Sequence, residues 1–93
     1  MRLIDFTASW CEPCKIQKPI VESWAKKHPD VRLEVLSVED PRGQAQASAF
    51  MVQSVPTLVF LDDAGQVLAA QPGLHDARRR DSASEQAKRR LAV

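Results

Sequence analysis

Cys11 and Cys14 are the only cysteines in this 93-residue chain, and only Glu12 and Pro13 separate them. No other feature constrains the chain so tightly. The stretch before the pair, Leu3-Ile4-Asp5-Phe6-Thr7-Ala8, reads as a short buried strand. The stretch after it, Lys15 to Lys27, reads as a helix with apolar residues at Ile16, Ile20 and Trp24. The thiols therefore fall where a strand turns into a helix, with Cys11 near the helix N-terminus. Unpaired backbone N–H groups and the positive end of the helix dipole favour a thiolate there. The thiolate is the nucleophilic form, and this placement lowers a cysteine pKa. Cys14, one turn further on, is in reach of a mixed disulfide formed at Cys11, so the spacing supplies an attacking and a resolving thiol in one local unit.

Other uses of the pair fit less well. A bridge closing so short a loop adds little stability by the loop-entropy argument. Zinc normally takes four ligands, there is no second cysteine pair, and neither His28 nor His75 has ligand spacing to the cysteines. No metal site is expected. Thirteen Lys and Arg against 12 Asp and Glu leave a formal net charge of +1, which gives no reason to expect nucleic acid or an acidic membrane as partner. No run is apolar enough to span a bilayer, and the N-terminus enters a strand directly without the pattern of a signal peptide. The expectation is a cytoplasmic protein, where two isolated cysteines are catalytic or metal-binding more often than structural.

Taken in order, residues 1–93 read as a single domain. The first strand covers residues 3–8 and the first helix residues 12–28, with Pro13 in its first turn and Pro19 expected to kink it. Residues 31–38 alternate toward a second strand, Val31, Leu33 and Val35 on one face. Asp40-Pro41 reads as a helix N-cap followed by proline at the first helical position, opening an alanine-rich helix over residues 41–51. A third strand follows over residues 57–61. Asp62-Asp63-Ala64-Gly65 is a hairpin turn, and a fourth strand over residues 66–71 is broken by Pro72-Gly73. The rest is helical in composition but poor in large apolar residues, and six of the 13 basic residues lie between Arg78 and Arg90. A weakly docked basic helix over residues 78–93 is expected, its charges on a solvated face. The order β-α-β-α-β-β-α implies an α/β fold: a four-stranded mixed sheet flanked by three helices, the first two strands parallel and the last two a hairpin.

The string Trp10-Cys11-Glu12-Pro13-Cys14-Lys15, followed later by Val55-Pro56-Thr57, resembles the thioredoxin family. Asp5, six residues before Cys11, matches a buried acid. Pro19 matches the proline of the active-site helix, Gly65 the hairpin glycine and Gly73 the glycine after the last strand. The resemblance covers residues 2–75 and implies a minimal version of the fold, without the first strand and helix of a full thioredoxin. Three positions near the cysteines depart from the family pattern. Glu12 stands for a glycine, Thr7 for a tryptophan, and Leu36 for a lysine near the buried acid.

By this resemblance the chain is a thiol–disulfide oxidoreductase that reduces protein disulfides through Cys11 and Cys14. Asp5 would take the Cys14 proton during resolution, with a solvated strand-end carboxylate as the alternative. Pro56 would be cis and bring Val55 beside the cysteines. Trp10 is either a contact surface for partners or a packing residue, and Val55, Pro56 and Gly73 complete the substrate-binding set. Trp24 belongs to the core. Lys15 and Lys18 either add positive potential near Cys11 or form an ordinary solvated face. Glu12, a carboxylate beside the nucleophile, would disfavour the Cys11 thiolate and make the pair more reducing. No bound cofactor is implied, since the redox-active dithiol carries the electrons. They would come from a thioredoxin-reductase-type enzyme and indirectly from NADPH. The remaining partners would be disulfide-containing proteins, and a monomer is the default. Two alternatives stay open: a glutaredoxin-like glutathione-dependent reductase, and a non-catalytic adaptor on the same fold.

Overall fold

Runs of β-branched and large apolar residues pair into the centre of the sheet. In the computed structural model, which describes residues 1–73, β1 (Arg2–Thr7) and β3 (Thr57–Leu61) occupy the middle of a sheet ordered β2-β1-β3-β4. Leu3, Ile4, Phe6, Leu58, Val59, Phe60 and Leu61 are all buried there. Both faces of these two strands are covered, which is why they read as near-continuous apolar runs. β2 (Arg32–Ser37) pairs parallel with β1, and β4 (Val67–Pro72) closes an antiparallel hairpin with β3, with a register shift at Phe60/Leu61. The expected parallel pair and hairpin are both present.

Two helices cover opposite faces. Val21 and Trp24 of α1 (Glu12–Lys26) pack with Leu3, Leu58 and Phe60. Ala47 of α2 (Pro41–Ala49) packs with Ile4, Phe6, Leu36, Val59 and Leu61. The two clusters take alternate residues of the same strands, as the two-residue period of a strand requires. The third helix expected over residues 78–93, and His75, lie outside the described residues.

Several details differ from the sequence reading. The buried stripe of α1 is Cys14, Gln17, Val21 and Trp24, at i, i+3, i+7 and i+10. Trp24 is core as expected, with its ring edge-on to Phe60 and stacked on His28 at 4.1 Å. Ile16, by contrast, is 55% exposed and Ile20 only partly buried. Seating Cys14 against the sheet turns these two outward and brings the polar Gln17 in. In β2, Leu36 rather than Val35 is buried, because the edge strand is only half covered on the α1 side. Val35, not Leu36, lies opposite Asp5, and Leu36 lies opposite Phe6. Asp40 occupies the α2 N-cap position without a side-chain cap hydrogen bond. Pro72 does not break β4 but ends it, at the edge of the sheet, where a missing donor is tolerated. α1 continues through Pro19 to Lys26.

Candidate functional site

Three chain segments meet at one end of the sheet. The first is the turn from β1 into α1. Cys11 is the N-cap of α1, and Pro13 stands in the first turn, where its missing N–H leaves no bond unmade. The Cys11 Sγ accepts a hydrogen bond from the Cys14 backbone N–H at 3.2 Å, so the sulfur sits among the free donors of a helix start. Cys11 and Cys14 are joined as a disulfide with their Cα atoms 5.2 Å apart, and they form a small cluster with Ala8.

The second segment precedes β3. The Val55–Pro56 peptide bond is cis, as the resemblance implies. Val55 packs against the Ala8–Cys11–Cys14 cluster and also against the core on the α2 side. Pro56 is buried, and its carbonyl accepts from the Gly73 N–H at 2.8 Å. Gly73 has φ +86°, a left-handed conformation that favours glycine. The Thr57 hydroxyl donates to the Ser54 carbonyl at 2.7 Å, bracing the turn.

The third segment is the turn from β2 into α2. Val38 packs on the cysteine cluster, and its N–H donates to the Thr7 carbonyl at 2.9 Å. Between this turn and the Pro56 segment lies a groove of about 460 Å³. Trp10, Val38, Ala47, Val52 and Val55 supply its apolar lining, and Gln44, Ser48, Gln53 and Ser54 its polar lining. Trp10 is 69% exposed, which excludes a packing role for most of its ring.

Asp5 lies on the α1 side of β1, between its register partners Val35 and Leu58, and is 1% exposed. The solvated strand-end alternative is therefore excluded. The structure thus brings Cys11, Cys14, Trp10, Val55, Pro56 and Gly73 to one end of the sheet, with Asp5 inside it. Glu12 and Lys15 both face solvent and pair with each other, Nζ to Oε1 at 2.8 Å. Lys15 thus sets a positive charge against the carboxylate expected to bear on Cys11.

Sequence reasoning missed Glu39. Its Oε1 accepts from the Ser9 backbone N–H, and its Oε2 accepts from the Ser9 hydroxyl at 3.0 Å. These two bonds hold the Glu39 carboxyl below the ordinary range. Sequence reasoning also missed Gly43, buried in α2 against the Ser37 carbonyl. Its signal was visible: a lone glycine inside a helix usually has a packing reason. Among the described residues no group of three or more potential metal ligands converges, and no helix is long and apolar enough to cross a membrane.

Comparison with known proteins agrees with this geometry. The family model described as Thioredoxin matches residues 1–85. Thioredoxin of Chlamydia trachomatis is 38% identical over 74 residues, covering 80% of this chain and 70% of that protein. Thioredoxin of Borreliella burgdorferi is 41% identical over 59 residues, covering 63% of this chain and 50% of that protein. Among solved structures, a mutant thioredoxin from Halobacterium salinarum superposes with a TM-score of 0.80 at 36% identity, covering 92% of this chain and 74% of that one. Oxidised mitochondrial thioredoxin 3 of Saccharomyces cerevisiae gives 0.78 at 28% identity, covering 90% and 76%.

Proposed function

The chain belongs to the thioredoxin family, and from that premise we propose that it reduces disulfides in other proteins by dithiol–disulfide exchange. The observation that carries the reading is the placement of Cys11 at the N-cap of α1, bonded to Cys14 one turn inside it. In the reduced protein, the Cys11 thiolate attacks one sulfur of a substrate disulfide. A Cys11–substrate bond forms, the substrate disulfide breaks, and the departing substrate thiolate takes up a proton. Cys14 then loses its proton to Asp5 and attacks the Cys11 Sγ. The mixed disulfide breaks, the second substrate sulfur leaves as a thiolate and takes up the proton that Asp5 gives back, and Cys11–Cys14 closes as a disulfide. Two electrons pass from the protein to the substrate, and a dithiol donor must return them.

Asp5 serves this step through its burial. Asp5 and Cys14 are 1% and 2% exposed, so the proton passes between two groups both kept from bulk water. Trp10, Val55, Pro56 and Gly73 form the surface that receives the substrate segment around its disulfide. A reductase of the thioredoxin-reductase type, drawing on NADPH, would recycle the pair in a reducing cytosol. The pairing of Cys11 with Cys14, both retained, favours this reading over an adaptor. The Pro13-Cys14 and Pro56-Thr57 pairs favour it over a glutathione-dependent enzyme.

The test is turnover of insulin disulfides with dithiothreitol as electron source. The wild-type chain is expected to reduce insulin, Cys11→Ser to abolish it, and Cys14→Ser, pre-reduced and then freed of dithiothreitol, to trap a covalent complex with insulin that added dithiothreitol releases. Insulin reduction that survives Cys11→Ser would refute the mechanism.

A further inference from the structure

Glu39 lies outside the chemistry described above, yet it touches the loop that carries it. Both oxygens of its carboxylate are engaged by one residue, Ser9, through the backbone N–H and the hydroxyl. Ser9 is followed by Trp10 and Cys11, and Glu39 is preceded by Val38. Trp10 and Val38 line the same groove from two different loops. The Glu39 N–H donates to the Ser37 hydroxyl at 3.2 Å, which fixes the turn from which the carboxylate reaches across. Bonds to an ionised acceptor are among the stronger kinds.

Resting on the oxidoreductase reading, we propose that Glu39 is a positioning residue for the exchange reaction: its carboxylate clamps the Trp10–Cys11 loop to the Val38 turn and so sets the form of the groove that receives a substrate protein. Trp10 is too exposed for core packing to place it, so its position follows from the backbone of residues 9–11. Val38 already hangs from Thr7 by a backbone bond, and Glu39 carries the same connection one step outward, past the end of the ladder. Ser9 and Glu39 are both exposed. An exposed contact adds little to global stability. Its effect is on loop geometry, and that separates this role from a structural one.

The experiment uses the full chain as wild type, Glu39→Ala, Glu39→Gln and Ser9→Ala. Three quantities are read: KM and kcat for insulin with dithiothreitol, the rate of the reduced protein with hydroxyethyl disulfide, and exchange of the Ser9 amide hydrogen. Glu39→Ala is expected to raise KM for insulin about fivefold, the scale of one ordinary net hydrogen bond, since the contact is exposed and acts on the groove indirectly. Its kcat and its rate with the small disulfide, which needs no groove, should stay within about twofold. Ser9 amide exchange should quicken. Glu39→Gln keeps an oxygen for the N–H and offers an amide to the hydroxyl, so it should recover most of the KM. Ser9→Ala keeps the backbone bond and should fall between. An unchanged KM in Glu39→Ala, or a parallel loss with insulin and the small disulfide, overturns the proposal. Unchanged Ser9 exchange in Glu39→Ala overturns the clamp whatever the activity. A wild-type chain that leaves insulin intact overturns the oxidoreductase reading itself, and the groove role falls with it.

Discussion

Replacing Gly43 by alanine sets two effects of opposite sign against each other. Gly43 is inside α2, and on helix propensity alone the change to alanine stabilises by about 1 kcal/mol. A Cβ built there, however, would stand 1.7 Å from the Ser37 carbonyl oxygen and 2.6 Å from its carbon. An ordinary carbon–oxygen contact is about 3.3 Å, so helix and strand end must part by roughly 1.5 Å. Both obstructing atoms are backbone, and the Ser37 carbonyl is also held by the Asp40 N–H at 3.2 Å, so no side chain can rotate away. Overpacking of this kind costs about 1–3 kcal/mol and occasionally more, and a backbone obstacle belongs at the upper end. The expected net loss is roughly 2 kcal/mol. For a domain of this size that lowers Tm by about 8–16 °C. Thermal and urea unfolding followed by circular dichroism measure it. Ala45→Gly is the control: it is exposed on the same helix and should cost only about 1 kcal/mol through propensity. A Gly43→Ala protein as stable as wild type, or more so, would refute the close-approach argument.

Further outcomes follow from the site. Asp5→Asn keeps the shape of the buried side chain but removes the proton acceptor, so resolution of the mixed disulfide should slow by about tenfold or more at neutral pH. Stopped-flow release of the second substrate thiol reads this, and an unchanged rate removes Asp5 from the mechanism. Because Glu12 and Lys15 pair in solvent, Glu12→Gln should make the cysteine pair more oxidising and Lys15→Gln more reducing, each by only about 10 mV, with the double variant near wild type. Equilibration with a thiol–disulfide buffer measures this, and a double variant shifted as far as Glu12→Gln alone would mean that Lys15 does not offset the carboxylate. The Glu39 carboxyl is held below its ordinary value of 4.5 by the Ser9 N–H and then the Ser9 hydroxyl. A depressed native value stabilises the fold above the unfolded value, and the contribution fades as pH falls through the native one. Both residues are exposed, so the contribution is small; the gap between wild type and Glu39→Gln should be constant from neutral pH to about 5 and close only in stronger acid, and a gap that closes above pH 5 contradicts the two bonds.

What was legible in the sequence divides by the range of the interaction. Thr57–Leu61 could be read as a strand because five consecutive buried residues announce a strand covered on both faces. The cysteine pair could be placed at a helix start because its neighbours fix the local structure within a few residues. Helix phase was less legible. Ile16 and Ile20 are the more apolar choices, yet Gln17 and Val21 face inward, because the phase of α1 is set by seating Cys14 against the sheet rather than by hydrophobicity alone. The face of β2 was legible, since Val31, Leu33 and Val35 do share the α1 side, but its burial was not: an edge strand has one neighbour, so Val35 can point toward the α1 side and remain 39% exposed.

The Ser9–Glu39 contact was not legible at all, and the reason bears on how such a site is built. The two residues are 30 apart in sequence, both polar, both in turns, and neither falls in a motif. The parallel pairing of β1 with β2 brings them together, since Thr7 and Ser37 are register partners at the ends of the two strands. Once that register is set, the residues one and two steps beyond each strand must face each other across the end of the sheet. The same register puts Val38 on the cysteine cluster and opens the groove between the Trp10 loop and α2. The cysteine pair is thus encoded locally, in the five consecutive residues Trp10 to Cys14 and the strand that leads into them. The groove proposed to receive the substrate protein is encoded in strand register, through side chains that acquire a shared surface only when the sheet has formed. A shift of one residue between β1 and β2 would leave the cysteine pair intact and dismantle the groove, because it would turn every β2 side chain to the other face.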